Sequence, residues 1–220
     1  MRILGSIALC SGVFALAGCQ PIAAVLDKMP GDPTIAAVYV PAHDNMAVIV
    51  EDFQNPALIE EAAEHIDWLI ANELIEHKVA PVINPSRLTV LRTSDPAGYR
   101  KMKIPQIGQE IGARQVLYVN VNSYAIESAV GTEALKAHAE ARVKVVDCVT
   151  GQTRWPRDAT SAGYPIMVDI PFLADNQNVN ETKVRGALAQ AVAMRVATLF
   201  YDATSDEPTP APKYPESDNP

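Results

Sequence analysis

Two apolar patterns follow each other in the first half of the chain and constrain its fold more than any other feature. Residues 46–53 form a nearly continuous apolar run, which is typical of a strand buried on both faces of a sheet. Asn55 and Pro56 then provide an N-cap and a proline at the first helical position. Apolar residues recur every three or four positions beyond them, namely Leu58, Ile59, Ala62, Ile66, Leu69, Ile70 and Leu74. A buried strand that leads into a long amphipathic helix predicts a domain in which helices pack on a sheet.

The middle of the chain continues this alternation. Residues 81–92 are predicted as a second strand, and residues 104–111, with isoleucines at helical spacing, as a short helix. The strand candidates are Ile83, Leu88, Val90 and Leu91, and Asn84-Pro85-Ser86 is a break within this unit. Residues 116–121 form a further apolar run that predicts the third strand.

The second half of the chain indicates antiparallel strands and a closing helix. Residues 135–149 alternate apolar and polar side chains, which predicts a strand with one face in water. Gly151 is placed to form a hairpin turn into a strand at residues 153–155. Residues 163–174 are apolar but contain two prolines, which favours an edge strand or an ordered loop. Residues 181–201 carry the apolar stripe of a last helix.

These elements predict a single α/β (α+β) domain of two or three layers around a mixed sheet, with the order β-α-β-α-β-β-β-α. The predicted bounds are a signal peptide at residues 1–18, a lipid anchor and connector at 19–45, the α/β domain at 46–202, and a disordered, acidic, proline-rich tail at 203–220.

The first twenty residues predict where the protein works. Arg2 and an apolar stretch precede Leu16-Ala17-Gly18-Cys19, which is the layout of a secretory signal with a small-residue cleavage site. The four residues resemble the lipobox of bacterial lipoproteins, in which the cysteine carries the lipid; an ordinary soluble secretory signal is the alternative. The resemblance implies attachment at Cys19 and, because Gln20 follows instead of aspartate, the periplasmic face of the outer membrane. The predicted class is thus a membrane-anchored lipoprotein of the cell envelope.

The net charge and the cysteine content exclude some classes of partner and of chemistry. The formal net charge is -8, which argues against a nucleic-acid surface because phosphate binding requires a basic patch. Cleavage before Cys19 and lipidation would leave Cys148 as the one free cysteine, expected to be a half-buried strand residue rather than a nucleophile. The sequence leaves a homo-oligomer open.

The residues that could carry chemistry are few. The four histidines, His43, His65, His77 and His138, show no metal-ligand spacing, so no metal and no cofactor are predicted. Glu51 and Asp52 end the first strong strand, but neighbours on a strand point to opposite faces, which disfavours a joint acid and base role. We therefore expect no enzyme. The alternative is a small-ligand binder or hydrolase that uses Glu51, Asp52 and His138 at one end of the sheet.

The element order and two local patterns resemble a known group of envelope proteins. Residues 107–121 resemble a short helix that runs into a strand of the group, and Asp147-x-x-Thr150-Gly151 resembles its hairpin. Both are similar to the periplasmic α/β domain shared by CsgG, LpoB and the amino-terminal domain of TolB. The resemblance implies a non-catalytic adaptor or assembly protein. A subunit of a CsgG-like secretion pore is disfavoured, because residues 160–180 are too few for four membrane-crossing strands.

A partner surface is predicted on the apolar segment at residues 164–173. An exposed apolar patch on an acidic domain marks a contact site, and the residues expected to form it are Tyr164, Ile166, Met167, Phe172 and Leu173. The alternative is that this segment is the last strand, packed on the core. The identity of the envelope partner is not encoded in these patterns.

Overall fold

The computed structural model describes residues 34–51, 56–128, 135–157, 163–172 and 181–204. Its elements follow in the order β1 (Thr34–Ile35), β2 (Met46–Glu51), α1 (Pro56–Glu76), α2 (Ser86–Ser94), α3 (Pro96–Tyr99), α4 (Ile104–Glu110), β3 (Gln115–Ser128), β4 (Leu135–Asp147), β5 (Thr153–Trp155), β6 (Tyr164–Phe172), α5 (Glu181–Ala197) and β7 (Ala203–Thr204). The predicted α+β class with a mixed sheet is confirmed. Among the helices described, none has the length and apolar character needed to cross a membrane.

One mixed sheet of five strands organises the domain. β2 and β3 are parallel, β3 and β4 are antiparallel, and both β5 and β6 pair antiparallel with β4. The crossover between the parallel strands contains α1 to α4, as a parallel connection requires. β1 and β7 pair separately through Thr34 with Thr204 and Ile35 with Ala203, outside the predicted bounds of 46–202.

Alternating residues of the sheet feed two apolar clusters on opposite faces. On one face α1 and α5 cover residues such as Val48, Leu117 and Val143. On the other face α2 and α4 cover Ala47, Ile49, Val116 and Tyr118. The domain therefore has three layers around β2 and the first half of β3.

The strand predicted at residues 81–92 is wrong. Only Val82 forms a bridge, to Met46, and a helix, α2, begins at Ser86. The Asn84 side chain accepts a hydrogen bond from the Ser86 backbone N–H at 2.9 Å, which favours a turn into the helix. Leu88 and Leu91 stand three residues apart on one helical face and pack on the second cluster, whereas Val90 is exposed. Four closely spaced apolar residues thus fitted a helix as well as a strand.

The β3–β4 pair extends further than the sequence predicted. β3 continues to Ser128 beyond an irregularity between Val121 and Ser123, which restores the inward direction of Tyr124 and Ile126. β4 alternates buried and partly exposed residues, as predicted. Its partly exposed side forms a polar strip, which we call the polar strip of β4: Lys136, His138, Glu140, Arg142 and Lys144.

Candidate functional site

Glu51, the first residue of the predicted carboxylate site, lies at the carboxyl end of β2 and is already engaged. The Tyr99 hydroxyl donates to Glu51 Oε1 at 2.5 Å, and the Tyr118 hydroxyl donates to Oε2 at 3.4 Å. Arg92 Nη2 lies 3.9 Å from the same carboxylate. Burial raises the pKa of both tyrosines, the Arg92 charge acts against this rise and the Glu51 charge adds to it, so both hydroxyls remain protonated donors at neutral pH. Both carboxylate oxygens are occupied by the protein's own donors.

The ion pair of Asp67 and Arg92 completes this cluster and binds the free edge of β2. Asp67 is 2% exposed, and its Oδ1 accepts the Val50 backbone N–H at 2.7 Å. Arg92 Nη2 donates to the Val50 carbonyl at 3.1 Å, and Nη1 lies 3.5 Å from Asp67 Oδ2. At the other end of β2, Met46 bonds to the main chain of residues 81–83. Two side chains thus take the place of a neighbouring strand at Val50.

The energetics of Asp67 follow from that position. Burial raises the pKa of its carboxyl well above the usual value, and the Arg92 charge acts against this rise. A sequence signal for the pair exists, because Asp67 interrupts the apolar stripe of α1 between Ile66 and Ile70. A charged residue on a buried helical face requires a partner.

The other two residues of the predicted site do not join Glu51. Asp52 lies outside the described residues. The register pairs Glu51 with Asn120 and Asn120 with Arg142. His138 lies four residues before Arg142 on β4, which places it about 13 Å from Arg142 along the strand. The structure therefore does not assemble Glu51 and His138 into one site.

His138 instead belongs to a cross-strand cluster on the polar strip of β4. Its Nδ1 lies 2.9 Å from Asp169 Oδ1, and its Nε2 lies 3.3 Å from Glu140 Oε1. Lys136 Nζ lies 3.3 Å from the same Asp169 oxygen. The His138 hydrogen bond, with the Lys136 contact, lowers the pKa of Asp169. This cluster ties β6 to β4 in register.

The predicted partner surface is a strand rather than a loop. Ile166 is buried in the core, and Tyr164 stacks on Trp155 with ring centroids 5.1 Å apart. Met167 is 38% exposed and points to the polar side of β6. The Phe172 side chain and Leu173 lie outside the described part. The segment is therefore an edge strand packed on the core. Among the described side chains of this predicted surface, Met167 is exposed, and its role in a contact stays a prediction.

The Asp147-x-x-Thr150-Gly151 pattern forms the predicted hairpin and is held by its own aspartate. Asp147 Oδ1 accepts the backbone N–H groups of Val149 and Thr150, each at 2.8 Å, and Gly151 has φ 72°. Arg154 binds Asp147 Oδ2 through Nε at 2.9 Å and Nη2 at 2.6 Å. The Thr150 hydrogen bond, with the Arg154 contact, lowers the pKa of Asp147 to about 2. This motif is explained by turn formation.

Cys148, predicted as a half-buried strand residue, instead lies in the hairpin turn directly after β4 and is 1% exposed. Burial, with the neighbouring Asp147 charge, raises the pKa of its thiol to about 11. A β-carbon at Gly108 would overlap the Cys148 sulfur, so α4 approaches the thiol closely. These features describe a packed, protonated thiol and not a nucleophile.

We expect the Cys148 thiol to resist alkylation in the folded protein. Iodoacetamide should modify it at least about a hundredfold faster after unfolding in guanidinium, because only the exposed thiolate reacts. Peptide mass spectrometry with and without denaturant measures this ratio, and equal rates would contradict the buried position.

The chain was compared with protein families, with curated proteins and with solved structures. No protein-family model matches the chain, and no curated protein matches it in sequence. Among solved structures, the lipoprotein GNA1162 from Neisseria meningitidis has 17% identity and a TM-score of 0.40, over 70% of this chain and 97% of that chain. The PelC dodecamer from Paraburkholderia phytofirmans has 11% identity and a TM-score of 0.38, over 77% of this chain and 96% of that chain.

The hypothetical protein CT253 from Chlamydia trachomatis is also similar, with 13% identity and a TM-score of 0.36 over 70% of this chain and 98% of that chain. GNA1162 is a lipoprotein by its name. At these identities and TM-scores, none of the three assigns a family or a function to this chain. The resemblance to CsgG, LpoB and TolB is not among these similarities and stays a prediction.

Proposed function

We propose that this protein is a lipid-anchored component of the bacterial cell envelope that acts through contacts with other proteins and not by catalysis. The observation that carries the proposal is the sequence Leu16-Ala17-Gly18-Cys19 at the end of an apolar signal. Each methylene of the acyl chains on Cys19 that enters the membrane would contribute about 0.8 kcal/mol of binding free energy. Two chains suffice for stable anchoring of the domain. Gln20 favours the periplasmic face of the outer membrane.

The described domain supports a non-catalytic role in two places. Glu51, the carboxylate at the end of β2, accepts hydrogen bonds from tyrosine hydroxyls of its own chain on both oxygens. The Cys148 thiol is buried and protonated at neutral pH. A general base needs a free oxygen and a nucleophile needs an exposed, ionised thiol, whereas the Glu51 oxygens bind tyrosine hydroxyls and the Cys148 thiol is buried and protonated. The alternative of a hydrolase or ligand binder at Glu51 gains no support from these contacts.

The lipid anchor is testable through a matched set of cysteine variants. Cys19→Ala should abolish incorporation of an alkyne-palmitate label and release the protein from the membrane fraction, because the thiol that accepts the diacylglyceryl group is gone. Cys10→Ala, in the segment predicted to be removed, and Cys148→Ala, in the core, should keep both properties. The measurement is in-gel fluorescence after click labelling, combined with membrane fractionation of intact cells.

Labelling and membrane retention of the Cys19→Ala protein would overturn the anchor. Separation of the two membranes on a sucrose gradient tests the finer proposal, since the wild-type protein should band with the outer membrane. A band with the inner membrane would leave the lipoprotein intact and reject the outer-membrane location.

A further inference from the structure

We propose that the outward face of α1 is a docking surface for a basic amphipathic helix of another protein, an inference that rests on the protein-contact role proposed above. This surface, the α1 seam, consists of Glu61, His65, Trp68, Asn72 and Ile75, all of them exposed. Three observations carry the proposal: the apolar anchors, the sign of the surrounding charge, and the spacing of the seam.

The apolar anchors lie away from the core. α1 already buries one face, formed by Ala63, Ile66, Ile70, Ala71 and Leu74. Trp68 is nevertheless 37% exposed and Ile75 is 54% exposed. Seven residues separate them, so they share one side of the helix at about 10 Å from each other along its axis. An exposed tryptophan with an aliphatic neighbour provides the type of anchor that dominates protein interfaces.

The charged side chains of α1 that surround these anchors are all acidic, and the exposed Lys78 follows only after the helix has ended. α1 contains no Lys or Arg, and its acidic residues are Glu60, Glu61, Glu64, Asp67, Glu73 and Glu76. Three of them contact the domain itself: Glu64 bonds to Thr89, Asp67 to Arg92, and Glu73 to His77.

Glu61 and Glu76 are exposed at the two ends of the seam. This arrangement attracts a cationic partner and repels a second copy of the same helix or an anionic lipid surface.

The spacing of the seam matches a helix. Positions 61, 65, 68, 72 and 75 alternate steps of four and three residues, which places them in one row along α1 against which a second helix can lie. A complementary helix would place apolar residues seven apart against Trp68 and Ile75, and Lys or Arg near Glu61 and Glu76. Recognition of this kind is the helix-on-helix mode with charged flanks.

Site-specific photo-crosslinking in intact cells tests the surface. The full-length lipidated protein carries benzoylphenylalanine in place of Trp68 or, as the control, in place of Val90, which is 64% exposed on α2. We expect a Trp68-position adduct whose crosslinked peptide is a helix rich in Lys and Arg. The double variant Glu61→Lys/Glu76→Lys should lower its yield by about tenfold, because the steering charge is reversed at exposed positions.

Other outcomes reject the docking surface. An adduct with another copy of this protein, an adduct with lipid, or a yield no higher than at the Val90 position would each overturn it, as would a yield unchanged by the charge reversal. Cys19 acylation is measured on the same samples: acylation without a Trp68 adduct rejects the docking surface alone. Loss of acylation in the wild type rejects the anchor.

Discussion

Replacing Arg92 by alanine is expected to lower the free energy of unfolding by about 3–5 kcal/mol, the usual cost of breaking a buried ion pair from one side. The guanidinium binds the Val50 carbonyl, the Tyr99 hydroxyl and Asp67 at once. Without it, Asp67 remains 2% exposed with no compensating charge. Urea unfolding of the full-length protein in non-ionic detergent, followed by circular dichroism, measures the loss.

The same variant should show a distinctive pH dependence. Asp67 has a native pKa above its unfolded value, so its ionisation destabilises the native state as pH rises through the native pKa. Arg92 opposes that rise in pKa, so its removal moves the native pKa further up. The deficit of Arg92→Ala should therefore be largest above the native pKa of Asp67 and shrink as the pH falls through it.

Arg87→Ala provides the control on the same helix. Arg87 is exposed and donates from Nη1 to the Ile111 main-chain carbonyl at 3.2 Å. We expect a change within about 1 kcal/mol that does not vary with pH. A similar loss for both arginines, or a deficit for Arg92→Ala that grows in acid, would contradict the role of Asp67.

Replacing Trp155 by alanine is expected to lower the free energy of unfolding by about 3–5 kcal/mol, because the buried ring is lost and a cavity remains. Trp155 is 8% exposed and lies between Tyr39 and Tyr164, with ring centroids 5.6 and 5.1 Å away, and meets Phe200 edge-on at 5.7 Å. These rings join the segment before β2, the edge strand β6 and the turn that follows α5. Their loss should therefore weaken the whole of that end of the domain.

Trp68→Ala is the matched comparison, because the chain has only two tryptophans. Trp68 is 37% exposed against 8% for Trp155, so its replacement should lower the free energy of unfolding by less, about 1–2 kcal/mol. Intrinsic fluorescence then separates the two residues: the Trp68→Ala protein should emit at a shorter wavelength than the Trp155→Ala protein, since its remaining ring is buried. Equal stability of the two variants would contradict the packing of Trp155.

Local patterns predicted most of the fold because the apolar period and burial coincide. The strand at residues 46–53 and the helix after Pro56 agreed with both residue propensity and apolar pattern. In β4, the alternation of apolar and polar residues in the sequence matched the alternation of buried and partly exposed side chains. Residues 81–92 failed because α2 buries only Leu88 fully, and a short run with few buried residues lacks a decisive period.

The site was harder to predict because it depends on pairs distant in the chain. Glu51 was singled out correctly as a polar residue at a strand end, but its donors Tyr99 and Tyr118 come from α3 and β3. Arg92 was assigned to a strand, which hid its contact with Asp67. Only the interruption of an apolar helix face by Asp67 pointed to a buried cation.

The borders of the sheet govern how this domain can meet other chains. An open strand border is a template on which an unfolded or misfolded neighbour can add a strand and start aggregation. Along β2, Met46 is bonded to residues 81–83 and Val50 to the side chains of Asp67 and Arg92. Along β6, Pro165 and Pro171 carry no N–H group to offer. These features of β2 and β6 oppose strand addition, so the protein contacts proposed above are expected to use side-chain surfaces rather than the sheet edges.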